Sequence, residues 1–239
     1  MGFCPSLVTV EGGALRKPKA LASQGGIDDG LPQPKPAALG EGYGVFIAWV
    51  GGTGVVTIGQ LLGMAVHLEG KGCSVLDMAG LAQKGGAVYS HVVLAQTPDR
   101  LLNTRVAMGE ADLVLAGDLV VGTSQDAVAR MHPGRTRMLL NSDVAPTAEF
   151  VRNPNWSLPG SNLKADLQTA CGAGNVDTID VIVLAVNLLG DAIYANPMMM
   201  GYACKSMVAF ERVGAIACNS AQWSAGSEQS CGICLGAAR

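Results

Sequence analysis

The chain has 239 residues, of which 49% are hydrophobic and 15% charged, enough for one large core and too apolar for disorder. A net charge of −3 without a basic stripe excludes the usual footprint of nucleic-acid binding. Seven cysteines, odd in number and scattered, exclude a secreted disulfide framework.

Residues 1–40 carry Gly12-Gly13, Pro18, Gly25-Gly26, Pro32, Pro34 and Pro36 without an amphipathic period, the composition of a linker. No basic stretch followed by an apolar one opens the chain, so no signal peptide is expected. The folded body is expected to begin near Tyr43 and to occupy residues 41–205. Val45–Val50 is a short apolar run ended by glycines and predicts a buried strand. Val55–Leu68 predicts a helix, with Ile58, Leu61, Leu62, Ala65 and Leu68 at helical spacing. Ser74–Met78, Val88–Ala95, Asp112–Gly117 and Thr136–Asn141 predict further strands, with a helix over Ser124–Met131 closed by His132-Pro133-Gly134. A loop rich in Asn, Pro, Ser and Gly fills 152–162, and helices are expected over Leu163–Ala170, Val181–Leu189 and Pro197–Cys204. Met198-Met199-Met200 reads as core filler. The apolar stretch 179–204 carries Asp180, Asn187, Asp191 and Asn196-Pro197, and Val55–Leu68 is too short to span a bilayer, so no membrane segment is expected. Strands alternating with helices predict an α/β fold with a largely parallel or mixed sheet flanked by helices.

Two loops carry the chemistry. In Gly51-Gly52-Thr53-Gly54 a glycine turn joins an apolar strand to a helix N-terminus, where backbone N–H groups and the helix dipole favour an anion. Asp77 stands at the end of the second strand, where a dinucleotide-binding fold places its ribose acid, so an NAD(P)-dependent Rossmann oxidoreductase is one reading. Against it, Gly52-Thr53-Gly54-Val55-Val56-Thr57 lacks the third glycine, and Trp49 crowds the turn. A plain tight turn stays open beside both. The second loop is Gln83-Lys84-Gly85-Gly86, followed by Ser90 and His91: a cation, two glycines that admit close backbone approach, and hydrogen-bonding groups in the strand beyond. It fits an interface or substrate entrance, or a solvated connection between strands. His91 is the only histidine near either loop, and Asp118 can face a crevice or cap the next helix. No catalytic residue and no metal ligand is assigned. Cys231-Gly-Ile-Cys234 has metal-ligand spacing but no second pair.

The two loops resemble the gamma domain of 2-oxoacid:ferredoxin oxidoreductases, most of all in the fused bacterial indolepyruvate ferredoxin oxidoreductases. The resemblance runs from Val45 to Tyr202. It also includes Ser74-Val-Leu-Asp-Met-Ala-Gly80, Glu110-Ala-Asp-Leu-Val-Leu-Ala-Gly-Asp118, Pro133-Gly-Arg-Thr136 and Leu189-Gly-Asp191, in the family's order. It departs at Trp49, where the family commonly has glycine. The resemblance implies a Rossmann-like domain that is one piece of a cytoplasmic enzyme. That enzyme decarboxylates a 2-oxo acid of indolepyruvate type oxidatively to an acyl-CoA, with electrons passing to ferredoxin. Thiamine diphosphate, magnesium, iron–sulfur clusters and coenzyme A are implied for the whole complex and none for this chain alone. The partners implied are thiamine-binding and ferredoxin-like domains. Residues 1–17 resemble the end of the ferredoxin-like region, with only Cys4 left of its cluster ligands, so the chain reads as a fragment. The tail after about residue 205 lacks the helix the family continues with. Its Ser-, Cys- and Gly-rich text reads as a changed frame, which would make Cys231 and Cys234 accidents. A non-functional gene remnant is the remaining alternative.

Overall fold

The computed structural model of the chain describes residues 12–13, 39, 42–79, 86–145, 153, 155–156 and 163–206. Cys4 and most of the linker, Gln83, Lys84 and Gly85, and the tail from residue 207 with Cys231 and Cys234 lie outside the described residues.

Six strands form one sheet in the order β2-β3-β1-β4-β5-β6. They are β1 (Tyr43–Val50), β2 (Gly72–Ala79), β3 (Ala87–Ala95), β4 (Leu113–Ala116), β5 (Arg137–Asn141) and β6 (Val176–Ile179). The helices are α1 (Val55–Leu68), α2 (Leu119–Gly122), α3 (Gln125–Val128), α4 (Leu163–Cys171), α5 (Val181–Leu189) and α6 (Ala195–Ser206). β1, β4, β5 and β6 run parallel, whereas β3 is antiparallel to both β1 and β2. The sheet is therefore mixed. The connection from β2 to β3 is too short for the helix that a parallel crossover needs, so the two strands return as a hairpin.

Alternation along β1 divides the core into two layers. Val45, Ile47 and Trp49 pack with α1, α5 and α6, while Phe46, Ala48 and Val50 pack with the side of α2, α3 and α4. All eight residues of β1 are buried, which explains its unbroken apolar sequence. α1 buries Val55, Ile58, Leu62, Ala65 and Val66, each of the larger ones worth about 1.5–3 kcal/mol against exposure. Met198, Met199 and Met200 are all buried, as their reading as core filler requires.

Three elements depart from the sequence expectation. The helix expected over Ser124–Met131 is shorter, α3 alone, which starts where the Ser124 hydroxyl accepts from Ala127 N, and an additional short helix, α2, precedes it. β6 is an additional strand. α6 begins at Ala195, which leaves Pro197 in the first turn, where its missing N–H costs nothing. Asp191 caps the 3-10 turn Ala192–Tyr194 ahead of that helix, accepting from Ile193 N at 3.0 Å.

Candidate functional site

The parallel strands β1, β4, β5 and β6 end at one edge of the sheet. The chain leaves β1 towards β3 and β2 on one side and returns to β4 on the other, so β1 and β4 flank the switch point of the topology. Both loops singled out in the sequence come to this edge. The Gly51 amide donates to the Gly86 carbonyl at 2.7 Å, extending the β1–β3 ladder by one bond. Residues 81–85 lie outside the described residues, but Gly86 fixes where that loop re-enters the sheet, beside the glycine turn.

The turn itself is built by conformation. Gly52 and Gly54 have φ of 90° and 94°, the left-handed region that side chains resist. The Thr53 hydroxyl donates to the Val50 carbonyl at 2.6 Å and closes the turn. The Asn196 side-chain amide of α6 donates to the Thr53 carbonyl from 143 residues away. A Cβ at Gly54 would stand 2.7 Å from that same amide. No side chain caps α1 and no acid stands in its first turn. Its first N–H groups are thus left for solvent or an anion.

Asp118 ties the strand ends at this edge to the helix that follows. It is fully buried; its Oδ2 accepts from Val50 N at 2.9 Å and its Oδ1 from Val121 N at 2.7 Å. Of the two roles open to it, the cap is the one observed, with the end of β1 clamped by the second oxygen. Burial lifts its pKa above the ordinary carboxylate value, opposed by the N–H bonds from Val121, Val50 and Val120. Asn141, on the neighbouring strand β5, makes a similar tie. Its amide donates to the Gly117 carbonyl at 2.9 Å, and its oxygen accepts from Val181 N at the start of α5 at 3.1 Å.

Trp49 crowds the crevice beside the turn rather than the turn's own N–H groups. Its indole is 4% exposed and lies over Gly117, where a Cβ would stand 1.3 Å from ring atom Cε2. Gly52 and Thr53 remain exposed. The space above the end of β4 is therefore filled by protein.

Ser90 and His91 point to opposite faces. Ser90 is buried under α1, its Oγ 2.7 Å from where a Gly59 Cβ would stand. His91 is buried on the other face. It meets the Phe46 ring edge-on at 5.0 Å, and its Nδ1 accepts from Val106 N at 3.2 Å. Burial, then Arg130 and Arg105, push its pKa down from 6.5 to about 4. Between those values the unfolded chain takes up a proton that the folded chain refuses. The stability is full above the ordinary histidine range and falls with pH through that window, by up to about 3 kcal/mol. Urea unfolding of the wild type and of His91→Gln between pH 7 and pH 4 is expected to show a smaller loss in the variant; equal losses would remove His91 as the cause. No group of three or more His, Cys, Asp or Glu side chains among the described residues could hold a metal ion.

The chain is similar to known proteins in sequence and fold. The sequence profile of the family described as pyruvate ferredoxin/flavodoxin oxidoreductase matches residues 44–219. The indolepyruvate oxidoreductase subunit IorB of Methanothermobacter thermautotrophicus is 24% identical over 161 residues, 67% of this chain and 77% of that protein. Among solved structures, the gamma subunit of a keto/oxoacid ferredoxin oxidoreductase from Geobacter sulfurreducens is 18% identical, with 82% of this chain and 92% of that one covered and a TM-score of 0.47. The 2-oxoglutarate:ferredoxin oxidoreductase from Magnetococcus marinus, solved with 2-oxoglutarate, coenzyme A and succinyl-CoA bound, is 13% identical with a TM-score of 0.53; the match covers 82% of this chain and 29% of that one. At that identity the likeness is one of fold. No described helix is long and apolar enough to cross a membrane.

Proposed function

Because the chain belongs to the pyruvate ferredoxin/flavodoxin oxidoreductase family, we propose that it serves as the gamma-type component of a cytoplasmic 2-oxoacid:ferredoxin oxidoreductase. Its partners are the thiamine-binding and ferredoxin-like domains of the same enzyme. The complex converts a 2-oxo acid to an acyl-CoA and passes the electrons through iron–sulfur clusters to ferredoxin. Indolepyruvate-type acids are the substrate class we favour, on the strength of the relative named for indolepyruvate. The observation that carries the reading is the profile match over most of the described body. Thiamine diphosphate supplies the carbanion chemistry when bound in the complex. This chain offers no Gly-Asp-Gly segment to begin a thiamine site, so we route no chemical step through its own residues.

What the chain contributes is an edge. The glycine turn and the loop ending at Gly86 meet beside the start of α1, whose first N–H groups no side chain caps, and Lys84 belongs to that loop. We assign Gly51, Gly52, Thr53 and Gly54 as an anion-facing turn, and Gln83, Lys84, Gly85 and Gly86 as the adjoining wall of an interface or substrate entrance; Ser90, expected in that wall, is instead buried beneath α1 and does not line it. The dinucleotide-dependent alternative loses ground to Trp49 and Asn196, which occupy the crevice and the turn.

The test is kinetic. With 2-oxo acid, coenzyme A and a viologen acceptor, turnover is expected only after this chain is combined with its thiamine-binding partner. In that complex Lys84→Ala is expected to raise the Michaelis constant for the anionic substrate or coenzyme A about 10- to 100-fold, the worth of a partly buried charge-assisted hydrogen bond. Turnover by the pure chain, or a complex indifferent to its presence, would overturn the reading.

A further inference from the structure

We propose that the outer face of α1 continues the interface that begins at the glycine turn, and that the thiamine-binding partner lies along it; this rests on the subunit reading above. α1 is the longest helix among the described residues, and Val55-Val-Thr-Ile-Gly-Gln-Leu-Leu-Gly-Met-Ala-Val-His-Leu68 holds no Asp, Glu, Lys or Arg. Its exposed residues are Val56, Thr57, Gln60, Met64, His67 and Leu68. At about 3.6 residues per turn these six fall within about 120° of the helix circumference, opposite the buried stripe of Ile58, Leu62 and Ala65. They therefore share one face.

A helix that faces water ordinarily carries charge on that side. On the other layer of the protein this holds: α4 exposes Lys164 and Asp166, and α3 exposes Asp126. Among the described helices of more than one turn, the only other one without charge is α5, in the same layer as α1. On α1 apolar side chains take the outward place. Val56 is 36% exposed, Met64 54% and Leu68 55%. Gln60, Met64 and His67 also line one cleft of about 500 Å³, whose opposite wall is the edge strand β2 with Cys73 and Val75. The cleft gives an apolar side chain of the partner a socket beside the helix.

The occupant follows from extent. A stable interface takes about 800 Å² and about 20–30 residues from each side. The glycine turn and the loop from Gln83 to Gly86 supply eight residues, so a body seated on them must cover more of the chain. α1 springs from that turn: Val56 and Thr57 follow the exposed Gly52 and Thr53 with no charge between them. Charged side chains are depleted and methionine is enriched at the centre of interfaces, as on this face. The partner surface it matches is apolar, with no charge at its centre.

The experiment is association of the full chain with its thiamine-binding partner, with thermal melting of each free chain alongside. Met64→Lys with Leu68→Lys is expected to weaken association at least about tenfold, because the complex would bury two cations without acceptors. Both positions are exposed, and a cation near a helix C-terminus suits the dipole, so the free chain should melt as the wild type does. Gln60→Glu, nearly isosteric at the middle of the face, is expected to weaken association about three- to tenfold, and it carries the test if the lysine pair melts early. Weakening by charges of both signs is the mark of burial. Weakening by one sign and strengthening by the other would show steering from a distance and overturn the inference. Wild-type association in the lysine pair and in Gln60→Glu would overturn it while leaving the subunit reading standing. Failure of the wild-type chain to associate would overturn the subunit reading and this inference with it. Self-association that the same variants abolish, with partner binding intact, would give the face to a second copy and overturn it as well.

Discussion

Gly117→Ala is expected to cost about 3–5 kcal/mol, as much as deleting a core tryptophan side chain. A Cβ at this position would stand 1.3 Å from Trp49 Cε2, 1.5 Å from Cδ2 and 2.0 Å from Nε1, inside the ring rather than against it. The indole cannot step aside cheaply. It is 4% exposed and packed in the layer with Val55, Ile58 and Leu115. One methyl therefore expels a whole side chain. Trp49→Gly alone is expected to cost a similar amount, through the cavity it leaves. In the double variant the second change should add less than about 1 kcal/mol, since the methyl enters space the indole has vacated. Urea unfolding of the two single variants and the double one measures the coupling directly. Additive costs would show that the indole does not lie on Gly117, and with that the argument for a filled crevice would fall.

The same pair shows how far the sequence could be read. Trp49 stands out as a large ring at the end of a strand just before a glycine-rich turn, and Asp112-Leu-Val-Leu-Ala-Gly117 is a plain apolar strand ending in glycine. That the two ends meet, ring on Cα, follows only from the parallel register of β1 and β4, which no local pattern encodes. Strands whose burial is two-sided were legible for the opposite reason: β1, β4 and most of β5 are apolar along their whole length. β6 was not, because Val176-Asp-Thr-Ile179 is four residues long and carries Asp177, and it becomes a strand through pairing with β5. The hairpin of β2 and β3 was foreshadowed by the short connection between them. At the candidate site the two loops were legible as separate glycine-bearing turns. Their junction at Gly51 and Gly86, and the Asn196 contact reaching in from α6, depend on tertiary placement.

Asp118→Ala is the second large loss expected, about 2–4 kcal/mol, and it bears on the site more directly. The wild-type carboxylate accepts from Val50 N and Val121 N while fully buried. Removing it leaves two N–H groups without an acceptor where water has poor access, and each such group costs about 1–3 kcal/mol. Asn in its place keeps the volume but turns one acceptor into a donor that faces an N–H, so Asp118→Asn should recover only some of the loss. The effect should also be local. Val50 is the residue before Gly51, so freeing its amide loosens the strand end from which the glycine turn springs. Hydrogen exchange at Val50 and Gly51 is expected to accelerate more than exchange in β5, whose ladder is independent of Asp118. If the turn and the Gly86 loop form the wall that meets the thiamine-binding partner, Asp118→Asn should also bind that partner more weakly at temperatures well below its melting point. Uniform acceleration across the sheet, with partner affinity unchanged while the chain stays folded, would reduce Asp118 to an ordinary helix cap and leave the glycine turn without a positioning residue.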